Sequence, residues 1–95
     1  MRRYRLLIDR RALKFVEDLE AKHFKQVVRR ILALSEDPRP HDSEQLTDFE
    51  DPERRGREGF RVDQGEYRIL YAFDPKAREV QVFVVGNRKD VYRAL

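Results

Sequence analysis

The fold class is decided by residues 60–93, which read FRVDQGEYRILYAFDPKAREVQVFVVGNRKDVYR. This stretch is rich in Val, Ile, Tyr and Phe, which favour β-strands, and two turn signals interrupt it. The turn signals are the pair Gln64-Gly65 and the segment 74–77, DPKA. The pattern predicts an antiparallel meander whose strands span 59–63, 66–73 and 79–85.

The first third of the chain has the apolar spacing of helices. Apolar residues recur at helical intervals twice, as Leu13, Val16 and Leu19 and then as Phe24, Val27, Val28, Ile31 and Leu34. We therefore predict two helices, over 10–20 and 22–35, with a break near 21–23. One long helix is the alternative, because neither Gly nor Pro interrupts the run. A short strand over 4–8 precedes them, and Asp9 is placed to cap the first helix with its carboxylate.

Together these elements predict an α+β fold. Two N-terminal helices pack on one face of a small antiparallel β-sheet, and a short C-terminal helix over 88–95 follows the meander. The chain has 95 residues, which is the length of one domain, so we expect residues 1–95 to form a single domain.

The alternation along the meander separates two faces of the sheet. If Gln64-Gly65 is a two-residue loop, Phe60 pairs with Ile69 on an apolar face that receives the helices. Arg61 then pairs with Arg68 on the opposite face. A three-residue loop is the alternative.

The arginine face also carries apolar residues. Leu70 lies on it, and Phe83 or Val85 from the next strand is expected to join it, which leaves apolar surface beside the arginines. Such surface rimmed by charge is typical of a partner site. The competing interpretation is a solvated face on which Asp63 and Glu66 neutralise the arginines.

The charges divide the chain into three blocks. The net charge is +3, from 21 Lys and Arg against 18 Asp and Glu. Residues 1–30 carry +6, residues 31–53 carry −7 and residues 54–95 carry +4. All but five of the basic residues are arginine, whose planar guanidinium suits phosphate. This balance indicates nucleic acid as the leading partner class.

Several function classes lack the residues that they need. The sequence has no Cys, which excludes a disulfide scaffold and a thiol nucleophile. It has no metal-ligand cluster, Walker loop or Gly-rich dinucleotide motif, so we expect neither a metal nor a cofactor. His23 and His41 have no partner at a ligand or triad spacing and are predicted to be surface residues. The N-terminal apolar run is too short for a signal or a membrane span, so we expect a soluble, cytoplasmic protein with no membrane partner.

The last third of the sequence resembles the RelE branch of the RelE/ParE toxin superfamily. The resemblance rests on residues 65–71, GEYRILY, and on residues 84–93, VVGNRKDVYR. The order of strand, two helices, acidic loop and meander is similar across nearly the whole chain. The resemblance implies the toxin of a type II toxin–antitoxin system, a metal-independent endoribonuclease that cuts mRNA in the ribosomal A site by 2′-hydroxyl attack. The partners it implies are a cognate antitoxin, the ribosome and mRNA, and operator DNA only as a complex with the antitoxin.

The resemblance assigns catalytic roles to Arg61, Arg68, Arg88 and Tyr92. The arginines would stabilise charge on the scissile phosphate, and Tyr92 would either stack on a base or take the 2′-hydroxyl proton. An ordinary phenol has a pKa near 10, which leaves the identity of the general base open. Asp63 departs from the family pattern, because a lysine is usual at this position.

Two further sets of residues are predicted contacts. Cations on the helices, in the acidic segment and after the meander are expected to bind RNA or the ribosome: Arg10, Arg11, Lys14, Lys22, Lys25, Arg29, Arg30, Arg54, Arg55, Arg57 and Lys89. The competing interpretation is a solvated helix surface with ion pairs such as Asp18–Lys22. Leu70, Phe83 and Val85 are the predicted antitoxin contacts. The alternatives to a ribonuclease are a ParE-like toxin that inhibits gyrase and a catalytically inactive antitoxin-binding module.

Overall fold

The computed structural model describes residues 3–47, 49 and 57–94, which form two helices, five strands and one turn of 3₁₀ helix. The predicted RNA contacts Arg54 and Arg55 lie outside these residues. In chain order the elements are β1 (Arg5–Ile8), α1 (Arg10–Glu17), α2 (Ala21–Glu36), β2 (Glu44–Gln45), β3 (Gly59–Gln64), β4 (Tyr67–Asp74), β5 (Glu79–Asn87) and the 3₁₀ turn (Val91–Ala94).

The prediction of two helices is confirmed, and the alternative of one long helix is wrong. The break lies at residues 18–20, slightly before the predicted position. The amides of Asp18 and Leu19 still donate to carbonyls of α1, and the amide of Phe24 donates to the carbonyl of Glu20 to begin α2. Asp9 precedes α1 but makes no capping hydrogen bond with its carboxylate. That carboxylate instead accepts a hydrogen bond from Nε2 of Gln81 at 2.8 Å, which corrects the predicted cap.

The sheet is mixed, so the prediction of an antiparallel sheet is wrong at one edge. The strand order is β1-β5-β4-β3-β2, and β1 pairs with β5 in parallel, with Ile8 beside Val82. The other three pairs are antiparallel. A parallel pair needs a long crossover, and the connection from β1 to β5 runs through both helices and three strands. No local turn signal can reveal a pairing of that kind.

The helices cover one face of the sheet and build the larger core, which we call the helix-side core. Its fully buried residues come from α1, α2, β3, β4 and β5: Ala12, Val16, Val27, Ile31, Leu34, Phe60, Val62, Ile69, Tyr71, Val80, Val82 and Val85. The predicted apolar face of the meander therefore packs on the predicted helical stripes. Burying these side chains supplies the main stabilisation of the fold.

The opposite face of the sheet is also covered, by short segments. Leu70, Ala72, Phe83, Val84 and Val91 form a second cluster, against which Leu46 and Phe49 pack. We call it the tail-side core. The expectation of an exposed apolar surface on this face is wrong, because residues beside β2 and after β5 fold over it.

The β3–β4 hairpin has a different register from the predicted one. Gln64 pairs with Tyr67, so the two loop residues are Gly65 and Glu66. Gly65 has a φ of +59°, and a glycine with positive φ at the first loop position is what a type II′ hairpin favours. The shift keeps each residue on its predicted face but changes its partner. Asp63 now lies opposite Arg68, where Arg61 was expected.

A β-bulge decides which residues of β5 reach each face. Leu70 pairs with Val84 and Tyr71 with Val82, so Phe83 is the extra residue. Phe83 and Val84 both join the tail-side core, and Val85 turns to the helix-side core. Simple alternation cannot foresee a bulge, which is why Val85 was offered as a candidate for the arginine face.

The chain after β5 forms a single 3₁₀ turn, Val91–Ala94, in place of the predicted C-terminal helix over 88–95. A turn at Asn87 leads into it. The side-chain Oδ1 of Asn87 accepts a hydrogen bond from the amide of Lys89, and the backbone carbonyl of Asn87 accepts one from the amide of Asp90. Val91 is then buried in the tail-side core beside Gly86. This anchor fixes the position of the next residue, Tyr92.

Candidate functional site

Three arginines converge on one carboxylate at the end of the β3–β4 hairpin. Asp63 and Arg68 are partners across the hairpin, and Arg68 also lies opposite Gly86 of β5. Arg61 lies two residues before Asp63 on the same face of β3, and Arg88 follows the end of β5. We call Arg61, Arg68 and Arg88, with Asp63 between them, the arginine cluster.

The contact between Asp63 and Arg68 is bidentate. Nε of Arg68 donates to Oδ1 of Asp63 at 2.7 Å, and Nη2 donates to Oδ2 at 3.2 Å. Parallel hydrogen bonds of this kind fix both the position and the orientation of a guanidinium. The other two arginines are more distant from the same carboxylate. Nη1 of Arg88 is 3.8 Å and Nη1 of Arg61 is 4.0 Å from Oδ2.

The electrostatics of the cluster follow from this geometry. The hydrogen bond from Arg68 holds the pKa of Asp63 below its usual range, and the charges of all three arginines add to the effect. The same hydrogen bond raises the pKa of Arg68. Asp63 is therefore ionised at neutral pH and removes one unit of positive charge from the cluster.

Tyr92 lies over Arg68. Nη1 of Arg68 donates to the hydroxyl oxygen of Tyr92 at 3.1 Å, and the guanidinium carbon is 5.7 Å from the centre of the tyrosine ring. The tyrosine is 46% exposed, so the rest of its ring is accessible to a ligand. The structure thus brings all four predicted catalytic residues into one constellation.

Glu44 is a member of this site that sequence reasoning missed. It lies on β2 opposite Arg61 and forms an ion pair with Nη2 of that arginine. The sequence offered Asp63 and Glu66 as neutralising residues, and the structure gives that role to Asp63 and Glu44. The acidic segment before β3 was the available signal, and a short strand over 44–47 is predicted within it, but no local pattern shows that this strand pairs with β3.

The predicted RNA contacts on the helices lie on the other side of the sheet from the arginine cluster. The exposed members are Arg10, Arg11 and Lys14 on α1 and Lys22, Lys25 and Arg29 on α2. Lys14 is 3.7 Å from Asp18, so the ion pair forms one turn earlier than the expected Asp18–Lys22 pair. Lys89 is exposed next to Arg88.

Two of the predicted RNA contacts hold parts of the fold together. Arg30 is only 19% exposed and pairs with Asp42, which ties α2 to the loop that follows it. Nη2 of Arg57 donates to Oε1 of Gln81 at 3.2 Å, within the network that also includes Asp9. These guanidinium groups are less accessible to an RNA phosphate than the cations along the helices.

The predicted antitoxin contacts are buried within the chain. Leu70, Phe83 and Val85 are 0%, 5% and 4% exposed. Apart from Tyr92, the exposed large apolar side chains among the described residues lie on the helix layer, where Leu13, Phe24 and Leu32 line a groove of about 250 Å³ beside β1. Phe83 and Val85 line a second pocket, of about 190 Å³, between α1 and β5, whereas Leu70 lies beneath the tail-side core.

The two histidines of the sequence lie on α2 and in the loop that follows it, outside the arginine cluster. His23 is half-buried, with its ring centre 5.4 Å from that of Tyr67, and His41 is exposed. Within residues 3–47, 49 and 57–94, no group of three His, Cys, Asp or Glu side chains could hold a metal ion. In the same part of the chain, no helix has the length and apolarity that crossing a membrane requires.

Comparison with solved structures shows that this chain has the fold of RelE toxins. The archaeal RelE–RelB complex from Pyrococcus horikoshii OT3 matches with a TM-score of 0.73 and 22% identity, over 90% of this chain and 94% of that one. The intact Escherichia coli RelBE toxin–antitoxin complex matches with a TM-score of 0.69 and 24% identity, over 88% of this chain and 95% of that one. The RelBE2 complex from Mycobacterium tuberculosis matches with a TM-score of 0.68 and 24% identity, over 90% and 99% of the two chains. No family model and no curated protein matches the sequence.

Proposed function

We propose that this chain with the RelE fold is the toxin of a type II toxin–antitoxin pair and cleaves mRNA in the ribosomal A site without a metal ion. The observation that carries the proposal is the constellation of Arg61, Arg68, Arg88 and Tyr92 at one end of the sheet. The similarity to chains solved as RelE–RelB complexes supports the same proposal.

Cleavage by the RNA's own 2′-hydroxyl needs three things from the protein. The 2′-oxygen forms a bond to phosphorus as it loses its proton, the bond from phosphorus to the 5′-oxygen breaks, and that leaving oxygen gains a proton. The extra negative charge on the phosphorane must be stabilised while this happens. Arginines suit the last task, because a guanidinium keeps its charge and can contact two phosphate oxygens.

Arg88 has the most accessible guanidinium of the cluster, since its side chain is 53% exposed against 23% for Arg61 and 16% for Arg68. A phosphate approaching from solvent therefore meets Arg88 first. The ring of Tyr92 is exposed beside Arg68 and can stack on a neighbouring base, as aromatic side chains do with unpaired RNA bases. Its hydroxyl, held by Arg68, is the candidate for moving the 2′-proton.

The ribosome would be held by charge away from the cluster. The exposed cations of α1 and α2 form a surface that can neutralise phosphates of ribosomal RNA, and Lys89 would add one such contact beside the cluster. Each contact of this kind adds salt-dependent affinity and no chemistry. This division assigns binding to the helix layer and cleavage to the opposite face of the sheet.

The proposed cellular setting follows from the toxin assignment. A cognate antitoxin is the proposed protein partner, the cytoplasm is the proposed compartment, and operator DNA would be bound only by the toxin–antitoxin complex. Antitoxin contact with Leu70, Phe83 and Val85 remains a prediction. Contact with Leu70 would require the tail-side core to open, because its side chain is fully buried. Changing all three to Ser tests the prediction by measuring antitoxin affinity alongside the folded fraction.

The experiment that tests the proposal maps the 5′ ends of mRNA by primer extension in a reconstituted translation reaction, with and without ribosomes. We expect cuts within A-site codons that require ribosomes and disappear in Arg88→Ala. Lys76→Ala is the matched control, because Lys76 is an exposed cation in the β4–β5 turn outside the cluster. Intact mRNA under arrested growth would point to gyrase instead, and intact mRNA with normal growth would leave a binding module.

A further inference from the structure

The three arginines of the cluster differ in how far they are already engaged. Every guanidinium nitrogen of Arg68 donates to a partner within the chain: Nε and Nη2 to Asp63, and Nη1 to Tyr92. Its side chain is also the least exposed of the three. These bonds use three of the five guanidinium N–H groups, so a phosphate that takes the Nε–Nη2 edge of Arg68 must displace Asp63.

Arg88 is the arginine of the cluster that contacts within the chain engage least. It shares the Asp63 carboxylate across 3.8 Å, which is an ion-pair distance and longer than a hydrogen bond. About half of its side chain faces solvent. Arg61 is intermediate, since Glu44 already holds one of its nitrogens. The acidic partners therefore rank the arginines by availability to an anion, with Arg88 first and Arg68 last.

We propose that Asp63 is the positioning residue of this site: it commits Arg68 to holding Tyr92 and leaves Arg88 as the cation that binds the substrate phosphate. The proposal rests on the proposed function for the identity of the substrate, an RNA phosphodiester. It assigns Arg68 and Arg88 different tasks, although the sequence predicts a shared task for them.

The energetics favour this division. A bidentate pair between ionised groups is stronger than a neutral hydrogen bond and is geometrically selective, so Asp63 sets the plane of the Arg68 guanidinium. That plane places Nη1 at the tyrosine hydroxyl. The carboxylate also repels an incoming phosphate from the centre of the cluster, because like charges a few ångströms apart oppose each other. The phosphate is thereby directed outward, to Arg88.

The test is an NMR titration of the full chain in which the arginine Nε–H signals are followed. The probes are inorganic phosphate and a 2′-O-methyl RNA trinucleotide, which cannot be cleaved by 2′-hydroxyl attack. In the wild-type chain we expect the Arg88 signal to shift with added phosphate while the Arg68 signal keeps its position and its slow hydrogen exchange. An Arg68 signal that shifts at the same concentrations as that of Arg88 would overturn the proposal, and so would the absence of a shift at Arg88.

Asp63→Asn removes the charge that divides the arginines. We expect faster exchange at Nε of Arg68 and an affinity for phosphate that rises about three- to tenfold, since one negative charge leaves the cluster. Glu66→Gln is the matched control, because it removes the same charge from the exposed hairpin loop and leaves Asp63 in place. Equal effects of the two substitutions would contradict a specific role for Asp63. The wild-type titration decides the question even if Asp63→Asn does not fold.

Kinetics supply a second readout that a merely structural role would not move. Arg68→Lys keeps the charge but cannot hold both Asp63 and Tyr92, so we expect kcat to fall with KM nearly unchanged. Arg88→Lys is expected to raise KM and also to lower kcat, because Arg88 contacts the phosphate both on binding and in the transition state. If the NMR titration gives the expected result and no mRNA is cleaved, the positioning role of Asp63 stands and the proposed function fails.

Discussion

The two faces of the sheet are built in different ways. The helix-side face is covered by two amphipathic helices, which bury a continuous set of large apolar residues. The tail-side face is covered by two short pieces of chain: the stretch after β2 contributes Leu46 and Phe49, and the 3₁₀ turn contributes Val91. The arginine cluster lies on the tail-side face, at the end where the 3₁₀ turn crosses it. The stable layer thus supports the sheet, and the thinner layer positions the chemistry.

This difference explains why folding and the proposed activity should respond to different substitutions. A residue in the helix-side core contacts several elements, so its loss should destabilise the whole fold. A residue in the arginine cluster is part of a polar network at the surface, so its loss should affect the reaction far more than stability.

The largest effect on stability is expected at the centre of the helix-side core. Ile69 is fully buried on β4, and Ile69→Ala should lower the free energy of unfolding by about 2–5 kcal/mol through lost contacts and a cavity. Urea denaturation followed by circular dichroism measures it. A loss below about 1 kcal/mol would equal the change expected for the arginine cluster, and it would contradict a dominant contribution of the helix-side core to stability.

The largest effect on activity is expected at Arg88. Arg88→Ala should lower the rate of mRNA cleavage by about 10²–10³-fold, the usual consequence of removing one transition-state contact. The free energy of unfolding should change by less than about 1 kcal/mol, because its ion pair with Asp63 is exposed to solvent. A similar loss of rate in Lys76→Ala would refute the assignment.

A smaller effect on stability is expected where the tail-side layer meets the sheet. A Cβ atom added to Gly59 would lie 2.4 Å from a ring carbon of Phe49, closer than two carbons can approach. Gly59→Ala should therefore displace Phe49, which packs on Phe83, at a cost of about 1–3 kcal/mol. Phe49→Leu in the same background should recover part of the loss by removing the clashing ring. A thermal melt of the single and double variants would show whether it does.

The smallest effect is expected for the pH dependence of the stability that the arginine cluster contributes. The pKa of Asp63 is lowered in the folded chain, so its ion pairs stabilise the fold above the unfolded pKa, about 3.9, and this stabilisation is lost as the pH falls through the folded value. The difference in stability between wild type and Asp63→Asn should be constant from pH 8 to pH 5 and should shrink below pH 4. Solvent screening limits it to about 1 kcal/mol. A difference that changes between pH 8 and pH 6 would contradict the lowered pKa.

The sequence predicts those parts of the fold that depend on periodicity. The helical stripes and the alternating strands identify the two helices, the meander and the residues of the helix-side core. Periodicity is a local property, so it can be detected without knowing what each segment packs against. The same alternation places Arg61 and Arg68 on one face, and the structure brings Arg88 and Tyr92 to them.

The remaining features depend on contacts that have no local pattern. The parallel pairing of β1 joins the two ends of the chain, and the bulge at Phe83 is a single extra residue inside a regular strand. The hairpin register depends on whether Gly65 is the first or the second loop residue. That choice decides that Asp63 faces Arg68. The sequence therefore identifies Asp63 as a neutralising residue on the arginine face and as a departure from a family pattern, but not as the partner of Arg68 across the hairpin.

The most direct test of the account is the rate of single-turnover cleavage of ribosome-bound mRNA at two salt concentrations. We compare wild type with Arg88→Ala and with the helix-layer double variant Lys22→Ala/Lys25→Ala. The account predicts that Arg88→Ala cleaves about 10²–10³-fold more slowly at both salt concentrations, because a chemical contact is missing. The helix-layer variant should lose activity at high salt and recover it at low salt, because only affinity is reduced. The opposite pattern, in which low salt rescues Arg88→Ala and not the helix-layer variant, would contradict the assignment of cleavage to the arginine cluster.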